Sequence, residues 1–104
     1  YASNGATYRN GSGVGYGSSF TNGDIIGVAY KNGKIWFAKN NSWQASGNPA
    51  ADTNPAYSGI VGDYVAGLIY PAATLGGSTY QVTGRFKTAD FSYSPPSGFS
   101  AWEP

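Results

Sequence analysis

The sequence predicts an all-β fold, and three observations support this prediction. No stretch repeats its apolar residues with the 3.6-residue period of a helix. The 104 residues include 16 Gly and nine Tyr, a composition typical of turn-rich β-structure. Residues 25–39 form two alternating, β-branched and aromatic runs around an Asn-Gly pair, which is the strongest local signal for a β-hairpin. The length fits one domain, residues 1–104, with a single modest core.

The central predicted element is a hairpin of strands Ile25–Lys31 and Lys34–Lys39 joined by Asn32-Gly33. A two-residue type I′ turn requires positive φ at both central positions, which Asn and Gly tolerate. The expected register is Tyr30–Ile35, Val28–Phe37 and Ile26–Lys39 on one face, and Ala29–Trp36 and Gly27–Ala38 on the other. The first face is more apolar, and we expect it to face the core.

The remaining elements are assigned from turn residues and alternation. We predict a short strand at Ala6–Arg9 followed by a flexible glycine-rich loop, and a long irregular segment from Asn40 to Gly62. Two more strands, Gly67–Leu75 and Thr79–Phe86, are predicted on either side of a turn at 76–78. Trp43, Tyr57 and Ile60 are expected to hold the long loop, and Phe91, Phe99 and Trp102 to close one end of the core.

Composition excludes several classes of function. The net charge is +1 and only 11% of residues are charged, which argues against nucleic acid or an anionic membrane as a partner. The absence of Cys and His removes disulfides, zinc sites, thiolate nucleophiles and imidazole triads. No apolar run reaches the length of a membrane span, so no membrane insertion is expected. No clustered Asp/Asn loop indicates calcium, and we expect neither a metal nor another cofactor.

Catalysis is also not expected, because the acidic residues are few. They are Asp24, Asp52, Asp63, Asp90 and Glu103. A glycosidase needs two carboxyl groups about 5 to 10 Å apart across a cleft. Asp24 and Asp90 are typical of turns, and Asp52 and Asp63 flank a solvated loop. The glycines at 11, 13, 15 and 17 match no phosphate-binding motif, although Asn10-Gly11-Ser12 is a formal N-glycosylation sequon.

Three stretches in order resemble the C-terminal two-thirds of a SPRY domain of the bacteriophage and prophage type. They are GDIIGVAYKNGKIWFAKN from Gly23, LIYPAATL from Leu68, and QVTGRFKTADFSYSPPSGFSAW from Gln81. The loop after Trp43, with its two Asn-Pro pairs, is similar to the phage group as well. The chain departs from the family at 84–87, Gly-Arg-Phe-Lys, where Asn-Phe-Gly is common. The family's N-terminal strands are absent, so preceding polypeptide, a partner chain or a reduced fold would have to close the core.

This resemblance implies an antiparallel β-sandwich of the concanavalin A-like jelly-roll type and a non-catalytic binding function. We expect an extracellular virion protein, on a tail fibre, receptor-binding protein or capsid decoration, that attaches to a host-surface glycan or protein. It would contact other virion proteins and form homo-oligomers, trimers if it is a fibre. The alternatives are a purely structural virion part and a SPRY adaptor for protein–protein interaction.

The candidate ligand-binding residues lie mainly in the long loop, because exposed aromatic rings stack on sugars while amides and carboxylates bind hydroxyls. They are Trp43, Gln44, Asn48, Asp52, Tyr57 and Tyr64. For Trp43 and Tyr57 an equally good interpretation is that they only tether the loop. Trp36 is the candidate assembly interface, since it is either covered by the missing strands or faces a partner.

Overall fold

The computed structural model describes residues 1–60 and 69–103, and this part of the chain is all-β. It has two small antiparallel sheets, one of strands β1–β2 and one in the order β3–β4–β5. The strands are β1 Ala6–Arg9, β2 Ser12–Gly15, β3 Ile26–Lys31, β4 Lys34–Lys39 and β5 Ser42–Trp43. Single 3₁₀ turns lie at Gln44–Ser46 and Thr88–Asp90. Within the described ranges no helix is long and apolar enough to cross a bilayer.

The central hairpin has the predicted register at every pair, from Ile26–Lys39 to Lys31–Lys34. Asn32 and Gly33 adopt φ of 50° and 73°, as the two-residue turn requires. Strand β3 begins at Ile26, one residue later than predicted. The prediction of this hairpin from the local sequence is therefore confirmed, because the two-residue turn alone sets which residues of the two strands pair.

A second Asn-Gly hairpin replaces the flexible loop predicted after Arg9. Asn10 and Gly11, with φ of 50° and 79°, connect β1 to β2. Strand β1 has the predicted bounds, but β2 was not predicted, because Gly13 and Gly15 weaken its alternating pattern. The ring of Tyr8 lies over Gly13, its cross-strand partner, where a Cβ would lie within 2.5 Å of the ring. An aromatic ring thus supplies the contact that the glycine lacks.

The core lies on the opposite face of the central hairpin from the predicted one. The buried apolar side chains of this sheet are Ala29, Trp36 and Ala38, whereas Val28 on the other face is 44% exposed. The 44–55 segment covers Trp36, whose indole N–H donates to the Thr53 carbonyl at 2.8 Å. Phe99 also packs edge-on against the indole, with ring centroids 6.3 Å apart. The face prediction was wrong because a neighbouring polar loop, not another apolar strand, supplies the cover.

Backbone hydrogen bonds attach the 40–60 segment to the hairpin. Ile35 donates to the Tyr57 carbonyl at 3.0 Å and accepts from the Ala56 N–H at 2.8 Å. These bonds make residue 57 an isolated bridge on the side of β4 that faces away from β3. Ile60 donates to the Gly33 carbonyl at 3.0 Å. The expectation that Tyr57 and Ile60 hold this loop is confirmed, and Trp43 joins the sheet through β5.

The two strands predicted at Gly67–Leu75 and Thr79–Phe86 are wrong for the residues that the structure describes. Residues 69–86 contain no strand, although the chain turns at 77–80 with Tyr80 donating to the Gly77 carbonyl. Pro71 has no N–H to donate, and no neighbouring strand pairs with either run. Exposed apolar side chains remain, with Tyr70 at 74% and Val82 at 60% exposure. Of the predicted anchors, Phe91 and Phe99 are half-buried and Trp102 is exposed.

Asp24 and Asn40 close the open end of the central hairpin. Asn40 accepts from the Ile25 backbone N–H at 2.8 Å and donates to the Asp24 carboxylate at 2.6 Å. The Thr21 N–H donates to the same carboxylate at 2.8 Å, and Lys39 lies 3.2 Å away. The Thr21 bond, followed by Asn40 and Lys39, holds the pKa of Asp24 below its ordinary value of 3.8.

We expect the hydrogen bonds and the ion pair of Asp24 to make folding stability sensitive to acid. Because the folded-state pKa is depressed, the stabilisation is present above about pH 4 and is lost as the pH falls through the folded-state pKa. Urea unfolding measured between pH 3 and pH 6 tests this. The free energy of unfolding of Asp24→Asn should fall less than that of wild type as the pH is lowered. Thr88 likewise holds the pKa of Glu103 low, so adding Glu103→Gln should reduce this fall further. An unchanged acid slope in both variants would contradict the assignment.

Candidate functional site

A groove of about 270 Å³ lies on the face of the central hairpin opposite the core. We call it the aromatic groove. Its lining comes from the N-terminal hairpin, the central hairpin and the end of the 40–60 segment, and includes Tyr8, Arg9, Asn10, Tyr30, Ile35 and Tyr57. The apolar face that the sequence assigned to the core is thus partly the floor of a groove.

Three elements position the lining side chains. Tyr30 and Ile35 are a cross-strand pair, so both side chains project from the same face of the sheet. The isolated bridge between Ile35 and Tyr57 places the tyrosine beside this pair. Arg9 and Asn10 lie at the turn of the N-terminal hairpin, where Arg9 donates to the Ser58 carbonyl at 3.2 Å. Strand pairing, the backbone bridge at residue 57 and the side-chain hydrogen bond of Arg9 therefore hold the groove on several sides.

The hydroxyl of Tyr57 is the unusual polar group of the groove. It is buried and has no hydrogen-bond partner in the described part of the chain. A buried polar group left unpaired costs about 1–3 kcal/mol, so native structures rarely keep one without a reason. The guanidinium of Arg9 lies over the ring of the same tyrosine, 5.8 Å from its centroid. This site therefore combines a flat ring, an unpaired hydroxyl and a positive charge.

An aromatic cluster encloses Phe37, which also lines the groove. Tyr1 stacks on Phe37 with centroids 5.5 Å apart, and Tyr16 meets it edge-on at 6.1 Å. Tyr1 packs in turn against Phe20, and its hydroxyl donates to the Ser18 carbonyl. Burial raises the pKa of Tyr16 above its ordinary value of 10.0. Packed rings of this kind hold their orientation and make a rigid wall.

Only one of the predicted ligand-binding residues that the structure describes lines the groove, and that residue is Tyr57. Gln44 is 8% exposed, accepts from the Ser18 N–H at 2.8 Å and donates to the Ser42 carbonyl at 2.7 Å. Its amide therefore ties the chain around residue 18 to the second sheet. Trp43 is half-buried in β5, paired with Ala38.

Asn48 and Asp52 lie in the loop that covers Trp36 rather than at the groove. Asn48 bridges to Thr53 and accepts from the Ala51 N–H at 3.1 Å, which closes a tight turn. Asp52 forms an exposed ion pair with Lys34 at 2.7 Å. Tyr64 lies outside the described residues. Trp36, the predicted assembly interface, is fully buried inside the chain, and this prediction is wrong because the ring has no exposed surface to offer a partner.

Sequence reasoning missed most of the groove residues, namely Tyr8, Arg9, Asn10, Tyr30, Ile35 and Phe37. Two signals were present. Asn10-Gly11 carries the same hairpin code as Asn32-Gly33, which would have placed Arg9 and Asn10 at a turn. The pair Tyr30–Ile35 was predicted correctly but assigned to the core.

The groove can bind but offers little for catalysis. Among its described lining residues are five rings, one amide and one guanidinium, and none carries a carboxyl group. Comparison with known protein families, with curated proteins and with solved structures finds no match. The chemistry of the groove itself is therefore the basis for a functional proposal.

Proposed function

We propose that this chain is a non-catalytic binding module that takes a sugar ring of a host-surface glycan in the aromatic groove. The observation that carries the proposal is the buried, unpaired Tyr57 hydroxyl in a groove walled by aromatic rings. Aromatic faces stack on the apolar faces of sugar rings, and a tyrosine hydroxyl can donate to or accept from a sugar hydroxyl. Because the hydroxyl is buried in the free protein, a ligand pairs with it only when side chains of the groove shift, and the hydrogen bond then formed is one whose desolvation cost folding has already met.

We further propose that the module is of the SPRY type and belongs to an extracellular virion protein. The support is the sequence resemblance of three stretches in family order. In the proposed jelly-roll sandwich, further strands would pair beyond β3, which is an edge strand of its described sheet. A protein ligand bound through the loops remains the alternative within this proposal, and a glycan array against a peptide array separates the two.

Replacing Tyr57 with phenylalanine should weaken sugar binding while leaving the fold intact or more stable. The change removes one hydrogen bond to the ligand, worth about 3- to 10-fold in affinity, and also removes an unpaired buried hydroxyl from the free protein. We expect the unfolding free energy to stay the same or to rise by up to about 1 kcal/mol. Calorimetric titration with a sugar identified on the array, together with urea unfolding, measures both quantities.

The matched control is Tyr80→Phe, which removes a hydroxyl from a ring that is 63% exposed and outside the groove. It should change neither affinity nor stability. If Tyr57→Phe destabilises the protein and leaves sugar affinity unchanged, the hydroxyl has a purely structural role and the proposal fails. If no sugar on the array binds at all, the proposal also fails.

Assembly is a second candidate function, and the exposed apolar residues at 70–86 favour it. They include Tyr70, Leu75, Tyr80, Val82 and Phe86, which are between 45% and 74% exposed. Exposed apolar patches of monomers commonly mark interaction sites. We propose a second copy of this chain as the occupant, as a homo-oligomeric virion part would require. Light scattering of wild type and Val82→Lys tests this: a monomeric wild type would contradict it, and loss of the oligomer in the variant would support it.

A further inference from the structure

We propose that Asn10 is a site of spontaneous modification, at which its side chain closes onto the backbone nitrogen of Gly11 and is then hydrolysed to aspartate and isoaspartate. Asparagine is a thermolabile residue, and the reaction needs only water as a co-reactant. The chain contains four Asn-Gly pairs, at 4–5, 10–11, 22–23 and 32–33. Turn geometry, exposure and free backbone groups distinguish the pair at 10–11 from the others.

The reaction has two steps, and both are balanced in atoms. The Gly11 nitrogen attacks Cγ of Asn10, the N–Cγ bond forms, the Cγ–Nδ2 bond breaks, and the Gly11 proton leaves with the side-chain nitrogen as ammonia. Water then opens the resulting five-membered succinimide at one of its two carbonyls. Opening at Cγ gives aspartate, and opening at the main-chain carbonyl gives isoaspartate. No electrons are transferred, and a neutral amide becomes a carboxylate.

The turn at 10–11 reaches the conformation of the succinimide by one local movement. Ring closure brings the Gly11 nitrogen beside Cγ and so fixes ψ of Asn10 at about −120°, which with φ of about 60° is the first central position of a type II′ turn. Asn10 already has a φ of 50°. A two-residue hairpin accommodates types I′ and II′ alike, and they differ mainly by a flip of the central peptide. Strands β1 and β2 therefore stay paired while the ring forms.

Within the described chain, nothing holds the central peptide of this turn. Asn10 and Gly11 are exposed, and a Cβ on Gly11 would meet no atom within 4 Å. Neither the Asn10 carbonyl nor the Gly11 N–H makes a backbone hydrogen bond to another described residue. The attacking nitrogen and the peptide that must flip are both free to react.

Two of the other Asn-Gly pairs lack the required geometry or free groups. The Gly5 N–H donates to the Ala2 carbonyl at 2.9 Å, and the Asn4 side-chain oxygen accepts from the Ala6 N–H at 3.0 Å. Both reacting groups of that pair are therefore engaged. Asn22 lies outside the left-handed region that the succinimide turn needs at this position.

The pair at 32–33 is the informative comparison, because its turn has nearly the same geometry. Asn32 has the same φ of 50° as Asn10, and its side chain is also exposed. Gly33 is buried, however, and its carbonyl accepts from the Ile60 N–H at 3.0 Å. A peptide flip there rotates Gly33 against its surroundings and requires local opening first. We therefore expect Asn10 to react faster than Asn32.

The products change the aromatic groove, because Asn10 belongs to its lining. Aspartate places a carboxylate where the amide was, and isoaspartate also lengthens the main chain of the turn by one carbon. A two-residue turn sets the register of its strands, so the longer turn should weaken the pairing of β1 with β2. This inference is independent of the sugar proposed as ligand.

The test incubates the wild-type chain in mildly alkaline H₂¹⁸O, folded in one sample and unfolded in guanidinium chloride in another. Hydrolysis incorporates ¹⁸O, so peptide mapping by mass spectrometry measures conversion at each asparagine, and an isoaspartyl methyltransferase identifies the isoaspartate form. In the folded chain Asn10 should convert at least about 10-fold faster than Asn32, which corresponds to about 1.4 kcal/mol of local opening at Asn32. In guanidinium chloride the two rates should be similar, because neither turn is formed.

Asn10→Gly removes the reactive side chain and keeps the turn, because glycine adopts positive φ and Gly-Gly fits a two-residue hairpin. It should abolish the first acidic species that ion-exchange chromatography resolves during incubation. Asn32→Gly is the matched control and should leave the formation of that species unchanged. The purified isoaspartate form of the wild type should unfold at a lower urea concentration than the unmodified chain.

Equal rates at Asn10 and Asn32 in the folded chain, or earlier conversion at Asn4 or Asn22, would overturn the proposal. An advantage of Asn10 that persists in guanidinium chloride would assign the reactivity to the neighbouring sequence and overturn the role of the turn. An unmodified Asn10 in the folded chain, when the unfolded chain is converted, would also overturn it. These rates are measured on the wild type, so poor folding of a variant does not affect them.

Discussion

Replacing Trp36 with alanine should lower the free energy of unfolding by about 3–5 kcal/mol, the usual range for removing a buried tryptophan. The side chain is fully buried, its N–H is bonded to the Thr53 carbonyl at 2.8 Å, and Phe99 packs on its edge. Its loss removes the residue on which both the loop and the C-terminal segment pack. For a domain of this length, whose total stability is typically about 5–15 kcal/mol, such a loss is large.

Urea unfolding followed by circular dichroism measures this effect, and Trp102→Ala provides the matched control. Trp102 is 39% exposed, so its replacement should cost clearly less than the replacement of the fully buried Trp36. Trp36→Phe should fall between the two, because it keeps an aromatic ring but loses the indole hydrogen bond to the Thr53 carbonyl, which still accepts from the Asn48 N–H at 3.0 Å. Similar unfolding free energies for the Trp36→Ala and Trp102→Ala variants would contradict the placement of the core.

Gly5→Ala should also be strongly destabilising, by about 2–4 kcal/mol. Gly5 has a φ of 83°, and a Cβ there would overlap the Gly17 carbonyl oxygen. The Gly5 carbonyl accepts from the N–H groups of Tyr16 at 3.1 Å and Gly17 at 2.9 Å, so the two segments cannot separate without breaking these bonds. The substitution therefore combines backbone strain with a backbone clash.

Gly11→Ala separates these two contributions. Gly11 has a similar φ of 79°, but a Cβ there meets no atom within 4 Å. Only the strain of the left-handed conformation applies, and we expect a loss of about 1–2 kcal/mol. Thermal unfolding of both variants provides the measurement. If Gly11→Ala is as damaging as Gly5→Ala, the close packing of residues 5 and 17 is not what requires glycine.

Local turn chemistry was the part of the fold that the sequence predicted best. The Asn32-Gly33 turn fixed the full register of β3 and β4, because a two-residue turn leaves no freedom in the pairing. The same code at Asn10-Gly11 was present, but the glycines that follow it concealed β2. Where a strand carries small residues, its pairing depends on a partner's side chain, here the ring of Tyr8 over Gly13.

The face of the sheet that becomes buried could not be predicted from apolar content. Tyr30, Ile35, Val28 and Phe37 outweigh Ala29, Trp36 and Ala38 in apolar area, yet the second set is the buried one. Burial depends on what covers a face. Here the cover is the 44–55 loop, whose polar sequence does not predict that it packs on an apolar face. The strands predicted within 69–86 failed for a related reason, since an extended run becomes a strand only when another strand pairs with it.

The candidate site moved from the loop to the groove for structural reasons. Gln44, Asn48 and Asp52 have the residue types of a sugar site. The side chains of Gln44 and Asn48 accept from backbone N–H groups, and that of Asp52 pairs with Lys34. Tyr57 stays a candidate, because it anchors the loop through its backbone and also lines the groove with its ring. Tertiary contacts of this kind are not encoded in residue type.

Mapping the bound sugar by backbone amide chemical shifts tests the central claim most directly. A ¹⁵N-labelled chain titrated with a sugar identified on the glycan array should show its largest shifts at Arg9, Asn10, Ile35 and Tyr57, with residues 48–53 unchanged. Those two sets lie in different parts of the fold, so the result is unambiguous. Shifts concentrated at residues 48–53, with the groove amides unmoved, would place the site on the loop and contradict the account.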